Sequence, residues 1–429
     1  MTTDGGDGPP VEGRDDGREA AGHDDGAALR PSVATGPPVG GPVGSPVAVA
    51  GGVGRGRRVR DVLVAAVLAV VITAGLLRVL TIILAENGPS AVVVGLALAL
   101  LPVLLVGAAF LWLDRFEAEP PGLLLLALGW GGGVATAVAL AVNSEASLLL
   151  DAPGTPGPVS LGVVAPVTEE VAKALGVVAV LVLRRREFDG VVDGVVYAGV
   201  VGIGFAFVEN VLYFSGALVA GGTSQLAVTF VLRAVVSPFA HPLFTVAVGI
   251  GIGLAVSRTG GARWLLPVAG FLVAVVLHSL WNLSTFAPLG FPAVYLVLQV
   301  PVFAGVVAIA VLARRREGRV LRAQLDTYAR AGWVTPAEAA MVASLPERRR
   351  ARHWARATGG APAELAMEEF QHLAGELAFL RERLRRGTAH RGAELEEQRL
   401  LAGLWEVRRR VLPQPPVPSP HAVGAGVAA

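Results

Sequence analysis

"SLGVVAPVTEEVAKALGVVAVLVL", residues 160–183, is long and apolar enough to cross a bilayer as one helix, yet it carries Glu169, Glu170 and Lys173 near its middle. Lys173 is the only lysine in the chain; the other 35 of its 36 basic residues are arginine. On a helix Glu169 and Lys173 are i,i+4 and Glu170 and Lys173 are i,i+3, so the three share a face with Pro166. One charge at the centre of a membrane helix costs roughly 2.5–3.5 kcal/mol, so that face has to meet other polar groups rather than lipid. An internal ion pair that docks the helix is the plain reading of a lone Glu/Lys pair. Here one ammonium faces two carboxylates, and the carboxylate left over suits a general base or acid.

The surroundings read the same way. The chain has 429 residues, 53% of them hydrophobic, with a net charge of +2 segregated into tails and short loops. Eight hydrophobic helices are expected, at 62–85, 91–113, 121–142, 160–183, 191–214, 226–256, 264–283 and 291–313. Arginines cluster in alternate connections, at 55–60, 115, 184–186, 258–263 and 314–319, and are absent from those at 86–90, 143–159, 215–225 and 284–290. That alternation predicts a multi-pass protein of the cell membrane with both termini in the cytoplasm. The fold class is therefore all-α and polytopic. Residues 1–59 are expected to be a disordered N-terminus without a cleavable signal peptide, 60–316 the membrane core, 317–410 a small helical cytoplasmic region, and 411–429 a disordered tail. In the third part, Thr335-Pro336 with Glu338 reads as a helix start, and glycines at 359–360 and 387 read as stops.

Inside the apolar segments ionisable residues are few. Arg78 and Asp193 lie toward segment ends, where interfacial placement accounts for them. The deeper ones are Glu169, Glu170, Lys173, Glu209, Arg233, His241 and His278. "FAFVEN" (205–210) places Glu209 beside Asn210; "RAVVSPFAHPLFT" (233–245) repeats Arg233, Ser237, His241 and Thr245 every four residues; "HSLWN" (278–282) pairs His278 with Asn282 at i,i+4. A lone histidine on an apolar face is usually structural, but five of the seven histidines lie in the termini and the other two occupy consecutive membrane helices. At about 1.5 Å of rise per residue, Glu169 and His278 both project near mid-membrane. Convergence of these groups into one site follows.

Two chemistries suit such a site. In one, His241, His278 and a glutamate, for which Glu209 is the choice, bind Zn²⁺ while a second glutamate takes a proton from water. In the other no metal takes part: a glutamate of the 169/170 pair activates water, and His278 with Asn282 stabilises an oxyanion. Spacing leaves both open. The chain has no cysteine and no HExxH, nor the GxSG-type serine or paired YD and GxGD aspartates known from membrane proteases. Glycine clusters at 129–137 and 247–255 read as close-packing faces, not phosphate loops. The basic C-terminal region lacks interleaved aromatics, which argues against nucleic acid and for lipid head groups or a solvated helical surface. A non-enzymatic carrier or proton- or cation-binding sensor would use similar groups, but no inverted repeat is visible. A scaffold without catalysis, acting through its C-terminal region, is a further alternative.

"EEVAK" (169–173), "FAFVEN", "AHPLF" (240–244) and "HSLWN", in that order on consecutive helices, together resemble the PrsW family of intramembrane proteases. "LDRFEAEPPGLLLLALGWGGG" (113–133) is similar to that family's approach to its third helix. A more distant resemblance is to the CAAX prenyl protease/Abi superfamily, from which this chain departs by having Glu209 where a histidine stands. The resemblance implies a metalloprotease that cleaves membrane-anchored proteins such as anti-sigma factors. It implies Glu169 and Glu170 as the water-activating pair with Lys173 their partner, and His278 with Asn282 as the last motif. It also implies that His241 supplies the second imidazole.

Overall fold

A computed structural model describes residues 53–116, 118–152, 157–183, 188–286 and 290–411. The expected N-terminal segment up to residue 52, the "RRR" at 184–186 and the tail from 412 lie outside the described residues. Every element among the described residues is helical. Five stretches are long and apolar enough to cross a membrane: Val62–Leu113, Pro121–Leu150, Val191–Val256, Gly261–Ser284 and Gly290–Arg330.

Two of these stretches are too long for one crossing. A straight helix over 62–113 would run about 78 Å against about 30 Å of hydrocarbon. Helix α1 (Val53–Leu113) breaks at Gly88, whose φ of 75° suits glycine alone and precedes Pro89. Helix α5 (Val191–Phe230) breaks at Gly221 and Gly222, the latter at φ 64°. Both breaks fall inside connections expected from the missing arginines. Beyond the second break, a π-helical turn at Val231–Val236 and a bend at Ser237 precede α6 (Ala240–Val256). The four-residue stripe from Arg233 to Thr245 is therefore not one continuous helix. Ser237 turns its hydroxyl to the Leu232 carbonyl instead, at 2.7 Å.

The first half of α5 is the axis of the bundle, with nearly every residue from Val192 to Phe214 buried. Glycine makes this possible. A Cβ on Gly204 would sit 2.0 Å from the Leu128 carbonyl oxygen, and one on Gly249 of α6 would sit 2.0 Å from that of Gly194. The helices α2 (Pro121–Gly129) and α3 (Thr136–Leu150), joined through a π-helical turn at Trp130–Ala135, pack on one side of α5. The helices α4 (Ala165–Leu183) and α6 also pack on α5, and α7 (Leu265–Ser284) packs on α4 and α6. The connection between α1 and α2 is pinned to α5: Asp114 accepts the Glu119 backbone N–H at 2.8 Å, and Tyr197 donates its hydroxyl to the Glu119 carboxylate. Burial pushes the Asp114 carboxyl up to about 7, against the lowering effect of that N–H.

The short helix α8 (Gly290–Val294) leads through a π-helical turn into α9 (Val300–Arg330), which runs unbroken across the expected boundary at 316/317. Beyond it, α10 (Pro336–Val342), α11 (Leu345–Arg386) and α12 (Ala393–Val411) share a core with the end of α9 around Leu321, Leu325, Phe370, Leu377 and Leu401. The expected helix punctuation is present. Thr335 and Glu338 form a reciprocal capping box, α11 breaks at Gly360, and Gly387 closes it at φ 68°.

Candidate active site

Helix α4 delivers its three charged residues to one buried point. Lys173 is fully buried; its Nζ donates to Glu170 Oε1 at 2.9 Å and to Glu169 Oε2 at 3.3 Å, and lies 3.1 Å from His241 Nδ1. The ammonium also rests 3.9 Å over the Phe205 ring, which holds it by cation–π attraction. An ammonium can only donate, so Nδ1 of His241 accepts there, and its Nε2, 2.6 Å from Glu209, carries the proton.

The adjacent glutamates are not equivalent. Glu170 is fully buried and its oxygens are taken by Lys173, by Thr245 Oγ1 at 3.2 Å and by His278 Nδ1 at 3.0 Å. Glu169 faces a cavity of about 440 Å³, together with Glu209, His241, His278, Arg233 and Asn282. Asn143 Nδ2 reaches Glu169 Oε1 at 3.3 Å. Because Glu170 occupies Nδ1 of His278, the other nitrogen of that ring turns toward Glu169, with Nε2 3.7 Å from Oε2. Glu169, His241 and His278 each present a donor atom within 4.8 Å of the others, all three residues buried.

Glu209 is placed differently from the expected third ligand. Its carboxylate is shared between His241 Nε2 and the Arg233 guanidinium, whose Nη2 lies 2.5 Å away. Arg233 Nε donates to Asn210 Oδ1 at 2.7 Å, and the guanidinium covers the Tyr213 ring at 4.0 Å. Glu169 stands in the His/His/carboxylate group that Glu209 was expected to complete. Asn282 lines the cavity, but its amide donates to the Leu161 carbonyl at 2.8 Å, where it fastens the π-helical turn at Ser160–Val164.

Of the expected site residues, Glu169, Glu209, His241, His278 and Asn282 line this cavity, Glu170 and Lys173 lie buried beside it, and Asn210 is linked to it through Arg233. Three more belong with them: Arg233, Thr245 and Asn143. The first two were visible on the four-residue repeat, whereas Asn143 had only the polar interruption "VNSEAS" (142–147) to mark it. A second cavity of about 770 Å³ adjoins the first through Tyr213, Arg233, His241, Trp281 and Thr285, and extends past Asn210 and Ser237.

Long apolar helices closed around three carboxylates, two imidazoles and a lysine define a multi-pass membrane protein with a buried polar site. Residues 119–306 match the PrsW family intramembrane metalloprotease, and the matched stretch contains every residue of the site. Protease PrsW of Oceanobacillus iheyensis is 32% identical over 142 residues, which is 33% of this chain and 60% of that protein. Protease PrsW of Geobacillus kaustophilus is 36% identical over 106 residues, 25% of this chain and 43% of that one. The chain thus spans about half the length of these curated relatives. No solved structure matches it.

Proposed function

We propose that the chain is an intramembrane endopeptidase that hydrolyses peptide bonds in membrane-anchored proteins, a class that includes anti-sigma-factor-like signalling proteins. One observation carries the reading: Glu169, His241 and His278 converge on a cavity of about 440 Å³ that adjoins a second, larger one. A polypeptide substrate needs adjoining space of this kind, and water needs access to the carboxylate. The protease names of both relatives support the same reaction. We place the protein in the cell membrane with eight crossings and both termini cytoplasmic, supported by the breaks at Gly88 and Gly221–Gly222 and by the arginine alternation.

Within this reading each chain residue has a role. Two imidazoles and one carboxylate, with a carboxylate on the far nitrogen of one imidazole, are a donor set that fits zinc. Glu169, His241 and His278 would hold the ion once Lys173 gives up the His241 nitrogen it now occupies. The chemistry such an ion supplies is Lewis-acid activation of water and carbonyl. Glu170 orients His278, and Glu209, held by Arg233, orients His241; both are positioning residues. A metal-free reading is favoured by Lys173, whose ammonium already sits against Glu169, Glu170 and His241. There Glu169, the carboxylate that faces the cavity, takes the proton from water, and His278, as an imidazolium with Nδ1–H held by Glu170, donates from Nε2 to the oxyanion.

The deciding experiment is metal analysis of detergent-purified full-length protein beside cleavage of a transmembrane test peptide, with and without chelator. Stoichiometric metal and chelator-sensitive cleavage support the zinc reading; chelator-resistant cleavage without metal supports the other. Absence of cleavage by both wild type and protein reloaded with metal overturns the peptidase assignment and leaves a binding protein.

A further inference from the structure

Two to three turns along α4 from the carboxylates, the arginine-bearing end of the bundle holds a separate cavity of about 440 Å³. Its apolar wall includes Val178 and Val182 of α4 and Pro267 of α7, and it opens beside residues that face outward: Val182 is 72% exposed and Leu265 69%. Its other wall is polar. Arg263 enters from the short 3₁₀ turn before α7, and Arg383 from the end of α11. Each has a buried Nε with no hydrogen-bond partner. The remaining contacts are few: Arg263 Nη1 donates to the Arg258 carbonyl at 2.8 Å, and Arg383 Nη1 pairs with Asp189 at 2.6 Å. Two guanidinium groups against one carboxylate leave one positive charge in excess among the residues that line the cavity. Trp264, half exposed, stands at its mouth with the Arg263 guanidinium 4.9 Å from its ring.

A cavity apolar toward the outer face and cationic toward the helix ends fits an amphiphile. We propose that it binds an anionic phospholipid of the phosphatidylglycerol type, with its phosphate on Arg263 and Arg383 and its acyl chains along Val178, Val182 and Pro267. Tryptophan at the rim belongs at the headgroup level, and basic pockets between membrane helices select anionic headgroups. Because Arg383 belongs to α11, the headgroup links the C-terminal helices to the end of α4. The site is independent of the hydrolytic reading.

The test is titration of fluorescent phosphatidylglycerol against the purified full-length protein in phosphatidylcholine nanodiscs. Wild type binds it saturably, and Arg263→Gln weakens binding about fivefold, the effect expected for one basic residue at a charged lipid surface. Arg263→Lys keeps the charge and holds affinity within about twofold of wild type. Arg258→Gln, the same charge change at an exposed position outside the cavity, leaves binding intact. Wild-type affinity in Arg263→Gln overturns the proposal, as does an equal loss in Arg258→Gln. So does displacement of the labelled lipid by inorganic phosphate as readily as by unlabelled phosphatidylglycerol.

Discussion

The membrane core and the C-terminal helical region are built from the same helices with their insides exchanged. In the C-terminal region Leu321 and Leu377 are fully buried while arginines such as Arg322 and Arg350 are exposed. In the core Leu149 is 81% exposed and Val297 78%, while Glu170 and Lys173 have no exposure at all. The first region is held by removal of apolar surface from water. Lipid gives the second no such drive, so close backbone approach at glycine and buried polar contacts do the holding. The contrast teaches where each region is vulnerable: the C-terminal helices to loss of bulk, the membrane helices to gain of it.

The sharpest way to break this comparison is Gly204→Leu. With a Cβ 2.0 Å from the Leu128 carbonyl, the variant should fail to give a monodisperse peak in detergent; normal behaviour would show that the α2–α5 contact is dispensable. Glu169→Gln tests chemistry without bulk. Peptide cleavage should fall by about 10²–10⁴, the span of a lost acid–base group, while accumulation in membranes stays normal. In the C-terminal region Leu377→Ala should cost about 2–5 kcal/mol, read as faster hydrogen exchange across α11, with the site unaffected. Thr335→Ala removes one half of the capping box and should cost only about 1 kcal/mol by the same measurement.

A pH series probes the seam between the two regions. The Asp114 carboxyl is pushed up from its ordinary 3.8 to about 7. The folded state therefore holds that proton more tightly than the unfolded state. Its stabilising contribution is complete below the ordinary carboxylate range and is lost as pH rises through about 7. Thermal stability should drop between about pH 4 and pH 7 and level off above that, and Asp114→Asn should flatten that drop.

Much of the site was legible in advance because its densest part is local. Glu169, Glu170 and Lys173 lie within one turn, and helical spacing alone puts them on a face; the structure adds only what they meet. The Glu209–Arg233 pair is of another kind. These residues are 24 apart across a glycine break, and no periodicity survives a break, so neither their contact nor its consequence for His241 could be read from spacing. The choice of Glu169 over Glu209 beside the two imidazoles rests on that contact, since an arginine claims the second carboxylate. The fold followed the same division. Apolar blocks and arginine-free connections marked the helices and their breaks, whereas the central burial of α5 depends on which glycines face which backbone. The uninterrupted passage of α9 into the C-terminal region had no composition change at the right place to announce it.

The position of Lys173 also bears on how the protein is made. The imidazoles of α6 and α7 and the threonine that complete the shell around Glu169 and Glu170 are synthesised 71 to 109 residues later. Until they arrive, α4 has to enter or wait beside the bilayer with two acids and no tertiary partner. The lysine is the one counter-ion translated with them, within reach on the same turn. It offsets one of the two acids through that interval, so the ion pair buried in the finished protein already lowers the cost of placing α4 in the bilayer before its partners arrive.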